Sequence, residues 1–87
     1  MVMFRVLITR RAQKDLDAIT RVDRENIAEK IVLLGRNPDH PVLDVKKLQG
    51  SSFYRLRVGG WRVIFDRKNT VRIIEIIRVR HRREVYR

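Results

Sequence analysis

The sequence predicts an α+β domain of order βααβββ, a twisted antiparallel sheet with an N-terminal helical hairpin packed on one face. Three observations carry that prediction. Apolar residues at helical spacing are confined to residues 10–35, β-branched and aromatic alternation dominates after residue 52, and Gly59-Gly60 separates two strand-like runs, FYRLRV and WRVIF. A chain of 87 residues, 44% of them hydrophobic, fits one domain over 1–87 with a single modest core.

The elements follow in order. FRVLI (4–8) reads as a short first strand. Thr9 is placed to cap a helix over about 10–20, with Ala12, Leu16 and Ile19 on one stripe. A second helix is predicted from Asp23 to about Gly35, with Ile27, Ile31 and Leu34 at helical spacing and Gly35 and Pro38 as stop signals. Residues 37–52 hold both prolines and read as a connecting loop. Gly59-Gly60 then closes a two-residue hairpin, because glycine accepts positive φ at both central positions. A polar DRKNT turn leads to the strand VRIIEIIRVR and the tail HRREVYR. Neither repeats nor a second domain are visible.

Charge narrows the function. Residues 1–45 hold 8 basic and 7 acidic side chains, a net of +1, whereas residues 46–87 hold 13 and 3, a net of +10. Segregated positive charge of this kind points to a polyanion, with nucleic acid first and an acidic protein second. Cysteine is absent, so neither a disulfide framework nor a thiolate metal site is expected, and a reducing compartment fits. The opening MVMFRVLIT lacks a cleavage-type site and no stretch reaches membrane-spanning length, so the expected location is the cytoplasm, away from membranes.

The hairpin sharpens the charge argument. A two-residue loop sets Val58 opposite Trp61, Arg57 opposite Arg62 and Arg55 opposite Ile64. Tyr54, Leu56, Val58, Trp61, Val63 and Phe65 then share the core face, and Arg55, Arg57 and Arg62 share the other. In the last strand Arg72, Arg78 and Arg80 alternate against Val71, Ile73 and Val79, and join the same basic face unless a bulge breaks the register. Like charges opposite one another cost a few tenths of a kcal/mol each, roughly. Arginine stems do flatten over apolar surface, but so many guanidiniums on one face point to anion binding, and their planar fork suits phosphate.

The order βααβββ, KKLQG at 46–50, the hairpin YRLRVGGWRVIF and the closing RVRHRREVYR together resemble the RelE/ParE toxin superfamily, most closely its RelE-type branch, over essentially the whole chain. The resemblance implies the toxin of a type II toxin–antitoxin system, a ribosome-dependent endoribonuclease that cuts mRNA in the ribosomal A site and is neutralised by a cognate antitoxin. It implies contact with DNA only through that antitoxin. Carried over by residue, Arg55 and Arg57 fall where basic residues, often lysines, approach the scissile phosphate. Arg62 matches a transition-state contact, Arg82 a tail arginine at the phosphate, and Tyr86 a tail tyrosine that stacks on the substrate base. Lys46, Lys47, Arg78, Arg80 and Arg83 are the RNA contacts expected around them.

Arginine departs from the family lysines in one respect: it does not give up its proton and cannot serve as a base. His81 is the alternative base, and its competing roles are RNA contact or capping of the strand. His40 reads as incidental and Glu84 as a partner of the neighbouring arginines. The expected chemistry uses no cofactor and no metal: the 2′-oxygen attacks the adjacent phosphate while arginines neutralise the developing charge. Three rivals remain: a ParE-like inhibitor of DNA gyrase, which shares the fold without the nuclease, a non-catalytic RNA-binding protein, and a helix-turn-helix DNA binder. The last is disfavoured by Asp23, Glu25 and Glu29 on the helix that would read the groove.

Overall fold

The computed structural model describes residues 3–85. Its elements run β1 (Arg5–Ile8), α1 (Arg10–Asp17), α2 (Arg21–Arg36), β2 (Asp44–Lys47), β3 (Tyr54–Val58), β4 (Trp61–Lys68), β5 (Ile73–His81) and α3 (Arg82–Val85). One five-stranded sheet has the order β1-β5-β4-β3-β2. The α+β class and the two leading helices stand as expected. Two features of the sheet differ from the expectation.

First, the expected loop over 37–52 contains β2, which pairs antiparallel with β3 and places Asp44 opposite Arg57 and Lys46 opposite Arg55. Its DVKK alternation is short and flanked by turn residues, so nothing local distinguishes it from loop. Second, β1 pairs parallel with β5, so the sheet is mixed. The two helices carry the chain across one face and return it to β2 at the far edge, while β1 stays beside the last strand.

The hairpin has the register read from its glycines: Val58 faces Trp61, Arg57 faces Arg62 and Arg55 faces Ile64. Gly59 alone of the pair has positive φ, at 58°, so a single left-handed residue suffices to turn the chain. Gly35 does not stop α2. It lies inside that helix, where an added Cβ would stand 2.7 Å from Val6 Cγ2, and its carbonyl accepts the Phe4 N–H at 2.7 Å. The residue is small because β1 crosses there.

The core lies between helices and sheet. Ala12, Leu16, Ile19, Ile27, Ile31 and Leu34 meet Leu56, Val58, Val63, Phe65, Ile74, Ile76 and Val79, all buried. The β5 contributions change parity, from even at 74 and 76 to odd at 79. A bulge between Ile64 and Phe65 of β4 is the cause: Ile64 pairs with Arg78 and Phe65 with Ile76, which leaves Ile77 as the extra residue. The expected inward set Val71, Ile73, Val79 therefore holds only at Val79. Val71 and Arg72 precede the strand, and Arg72 has φ 54°. Among the described residues no helix is long and apolar enough to cross a membrane.

Candidate phosphate-binding cleft

Register decides which basic side chains meet. Across the sheet face turned away from the helices, Asp44, Arg57, Arg62 and Arg80 form one row through four strands, and Lys46, Arg55, Ile64 and Arg78 form the next. The bulge turns Arg78 and Arg80 toward this face by resetting the alternation after Ile77. Like charges opposite one another oppose folding, so their placement needs compensation or a use.

Part of the row is compensated. Asp44 stands between Arg55 Nη1, at 3.5 Å, and Arg57 Nε, at 3.9 Å. The Arg55 side chain is only 12% exposed, which assigns it to packing on the sheet more than to a ligand. Arg78 is held by Asp15 of α1 through Nε at 2.8 Å and Nη2 at 3.3 Å, and Asp15 also accepts the Val79 N–H at 2.9 Å. Burial pushes the Asp15 carboxyl up, but hydrogen bonds from Arg78 and Val79 and the charges of Arg78 and Arg80 outweigh it and hold the carboxyl below its ordinary value.

Three arginines converge. Arg57 from β3, Arg62 from β4 and Arg82 from α3 line one cleft of about 260 Å³, together with Gly59, Gly60 and Trp61 at the hairpin tip. Among these lining residues none carries negative charge, and the two glycines leave the backbone bare. A cleft with three guanidiniums and an open floor suits a phosphodiester, whose oxygens accept paired N–H donors. Among the described residues, no group of three or more His, Cys, Asp or Glu side chains is placed to hold a metal.

The remaining expected site residues scatter. Lys46 shares the basic face beside Arg55, whereas Lys47 pairs with Tyr54 on the helix side. Arg80 lies in the Arg62 row, and Arg83 is exposed beyond it. Tyr86 lies outside the described residues. His81 is not brought to the cleft. It pairs with Trp61 on the helix side of the hairpin, its ring edge-on to the indole with centroids 4.9 Å apart, and lines a separate hollow of about 170 Å³ with Asp23, Asn26 and Val58. Gly59, Gly60 and Trp61 line both hollows, so the hairpin tip stands between His81 and the arginine cleft.

Two carboxylates that matter here escaped the sequence reading. Asp15 is 63 residues from Arg78 along the chain, and Asp44 reaches Arg55 and Arg57 only through β2.

The family model for the ParE toxin of type II toxin–antitoxin systems, parDE, matches residues 6–86. Among solved structures, a chain of the archaeal RelE–RelB complex from Pyrococcus horikoshii OT3 superposes with a TM-score of 0.79 at 28% identity, covering 94% of this chain and 97% of that one. A chain of the RelB–RelE antitoxin–toxin complex from Methanococcus jannaschii gives 0.75 at 28% identity, covering 92% and 94%. A mutant of the E. coli toxin RelE in the free state gives 0.72 at 25% identity, covering 99% and 92%. No curated protein matches this chain.

Proposed function

This chain belongs to the ParE toxin family of type II toxin–antitoxin systems, within the RelE/ParE superfamily, and from that premise we propose that it is a ribosome-dependent mRNA endonuclease. The observation that carries the reading is the convergence of Arg57, Arg62 and Arg82 on one cleft with no acid in its lining. In the proposed reaction the 2′-oxygen bonds to the adjacent phosphorus and the bond to the 5′-oxygen breaks. The products are a 2′,3′-cyclic phosphate and a 5′-hydroxyl, and solvent takes the first proton and supplies the second.

The three guanidiniums contribute where charge grows, on the equatorial oxygens of the phosphorane. Donors already in place need no reorganisation as the reaction proceeds, and removing one such donor from an active site typically costs about 10²–10³ in rate. The described lining offers neither a carboxylate nor an imidazole. Activation of the 2′-hydroxyl is therefore electrostatic, with substrate geometry supplied by the ribosome. A cognate antitoxin neutralises the toxin by laying acidic residues against the basic sheet face. The RelE structures solved as complexes with RelB support that partner.

The test is 5′-end mapping of mRNA on translating ribosomes with purified protein. Arg62→Ala and Arg82→Ala are expected to keep the far-ultraviolet circular dichroism spectrum and lose about 10²-fold or more of cleavage. Undiminished cutting by either folded variant would overturn the charge clamp. A second reading, inhibition of DNA gyrase, is favoured by the match to the ParE model over residues 6–86. It predicts intact transcripts and arrested supercoiling in an assay with purified gyrase.

A further inference from the structure

His81 has a set of contacts that the cleavage reaction does not use. Its Nδ1 accepts the Arg83 N–H at 3.3 Å, while the neighbouring Arg82 N–H donates to Gly60 O at 2.8 Å. These are the first two N–H groups of α3, which no carbonyl within that helix can satisfy. A side-chain acceptor bonded to the second N–H of a helix is an N-cap, here supplied by an imidazole.

The ring is itself wedged in place. An added Cβ on Gly60 would stand 3.1 Å from His81 Nε2, so the imidazole lies against the bare face of the hairpin tip. On its other flank stands Trp61, at an interplanar angle of 88°. The indole Nε1–H donates to Asp23 Oδ2 at 3.1 Å, which ties that ring to the first turn of α2. The chain of contacts runs from α2 through Trp61 and His81 to the start of α3. A helix of four residues does not hold its place unaided, since its few internal bonds do not repay nucleation.

We infer that His81 is a positioning residue for Arg82: by capping α3 across the hairpin tip, it sets where the Arg82 guanidinium enters the cleft. This rests on the reading that Arg82 acts from that cleft. It also explains the glycine at position 60, whose carbonyl anchors Arg82 and whose missing side chain admits the ring.

Two substitutions separate positioning from proton transfer. His81→Asn keeps a favoured N-cap acceptor without an imidazole, whereas His81→Phe keeps an aromatic ring beside Trp61 without an acceptor. Amide hydrogen exchange at Arg83, with the Val63 and Ile76 amides as folding controls, reads the cap directly. Ribosome-dependent cleavage reads its consequence. In His81→Phe, exchange at Arg83 should quicken by about fivefold, and kcat should fall by about tenfold with KM within about threefold. In His81→Asn both should return to within about threefold of the parent.

Unchanged Arg83 exchange in His81→Phe would overturn the inference. So would a His81→Asn variant that restores exchange yet cleaves as poorly as His81→Phe, which would mark the imidazole as a proton carrier. If Arg82→Ala itself cleaves normally, the reading of the cleft falls, and exchange at Arg83 alone decides the cap.

Discussion

Replacing Asp15 with alanine should destabilise the domain without weakening its hold on RNA. Strand β5 outruns its neighbour, since β1 pairs only with Ile73 to Ile76. Beyond that point α1 satisfies the open edge: Thr9 Oγ1 donates to Ile77 O at 3.1 Å, and Asp15 accepts the Val79 N–H and two Arg78 donors. The Asp15 side chain is 18% exposed and that of Arg78 27%, so solvent replaces these bonds poorly. Hydrogen bonds to a charged group contribute about 1.5–3 kcal/mol each. Because the three share one carboxylate and do not add, a total of about 2–4 kcal/mol is expected.

In a domain of this size each kcal/mol lowers the melting temperature by about 4–8 °C, so Asp15→Ala should melt about 10–30 °C below the parent. Asp15→Asn, which still offers an oxygen to Val79, should lose about half as much. The pH dependence follows from the lowered folded-state pKa of Asp15. Its stabilisation is complete above the unfolded value of about 4 and disappears as pH falls through the lower folded value. Urea melts at pH 7 and pH 2.5 should therefore show a gap between parent and Asp15→Asn that narrows in acid. A stability loss for Asp15→Ala below about 0.5 kcal/mol, the range of an ordinary surface change, would refute the argument. So would a gap that widens in acid.

Two further outcomes test other joints of the structure. Asp44→Asn removes the carboxylate beside Arg55 and Arg57, so RNA should bind more tightly, with a salt dependence steeper by up to about one counterion; filter binding across a salt series would show it, and an unchanged slope would exclude Asp44 as a competitor for phosphate. Gly35→Ala puts a methyl group 2.7 Å from Val6 Cγ2 and 3.3 Å from Phe4 O, and overpacking of this kind should cost about 1–3 kcal/mol in a urea melt despite the better helix propensity of alanine.

Local chemistry was legible in the residues themselves. Thr9 accepts the Ala12 N–H at 3.1 Å as the cap of α1, a role that a threonine just ahead of an apolar stripe signals locally. Gly59-Gly60 dictated the hairpin register, and with it the face shared by Arg55, Arg57 and Arg62. Turn length and side-chain alternation are properties of a few consecutive residues, so they survive reading in one dimension. The family resemblance added the tail arginine as a partner for that face.

Contacts between distant segments decided the rest. Strand β2 exists because β3 offers it an edge, and β1 runs parallel to β5 because two helices return the chain across one face. The bulge at Ile77 has no signature in VRIIEIIRVR, yet it reverses the alternation, sends Arg78 and Arg80 outward and carries His81 to the helix side. A one-residue slip exchanges the two faces of a strand, so which arginines meet scaffold carboxylates, which line the cleft and that Arg57 does both are decided in the assembled sheet.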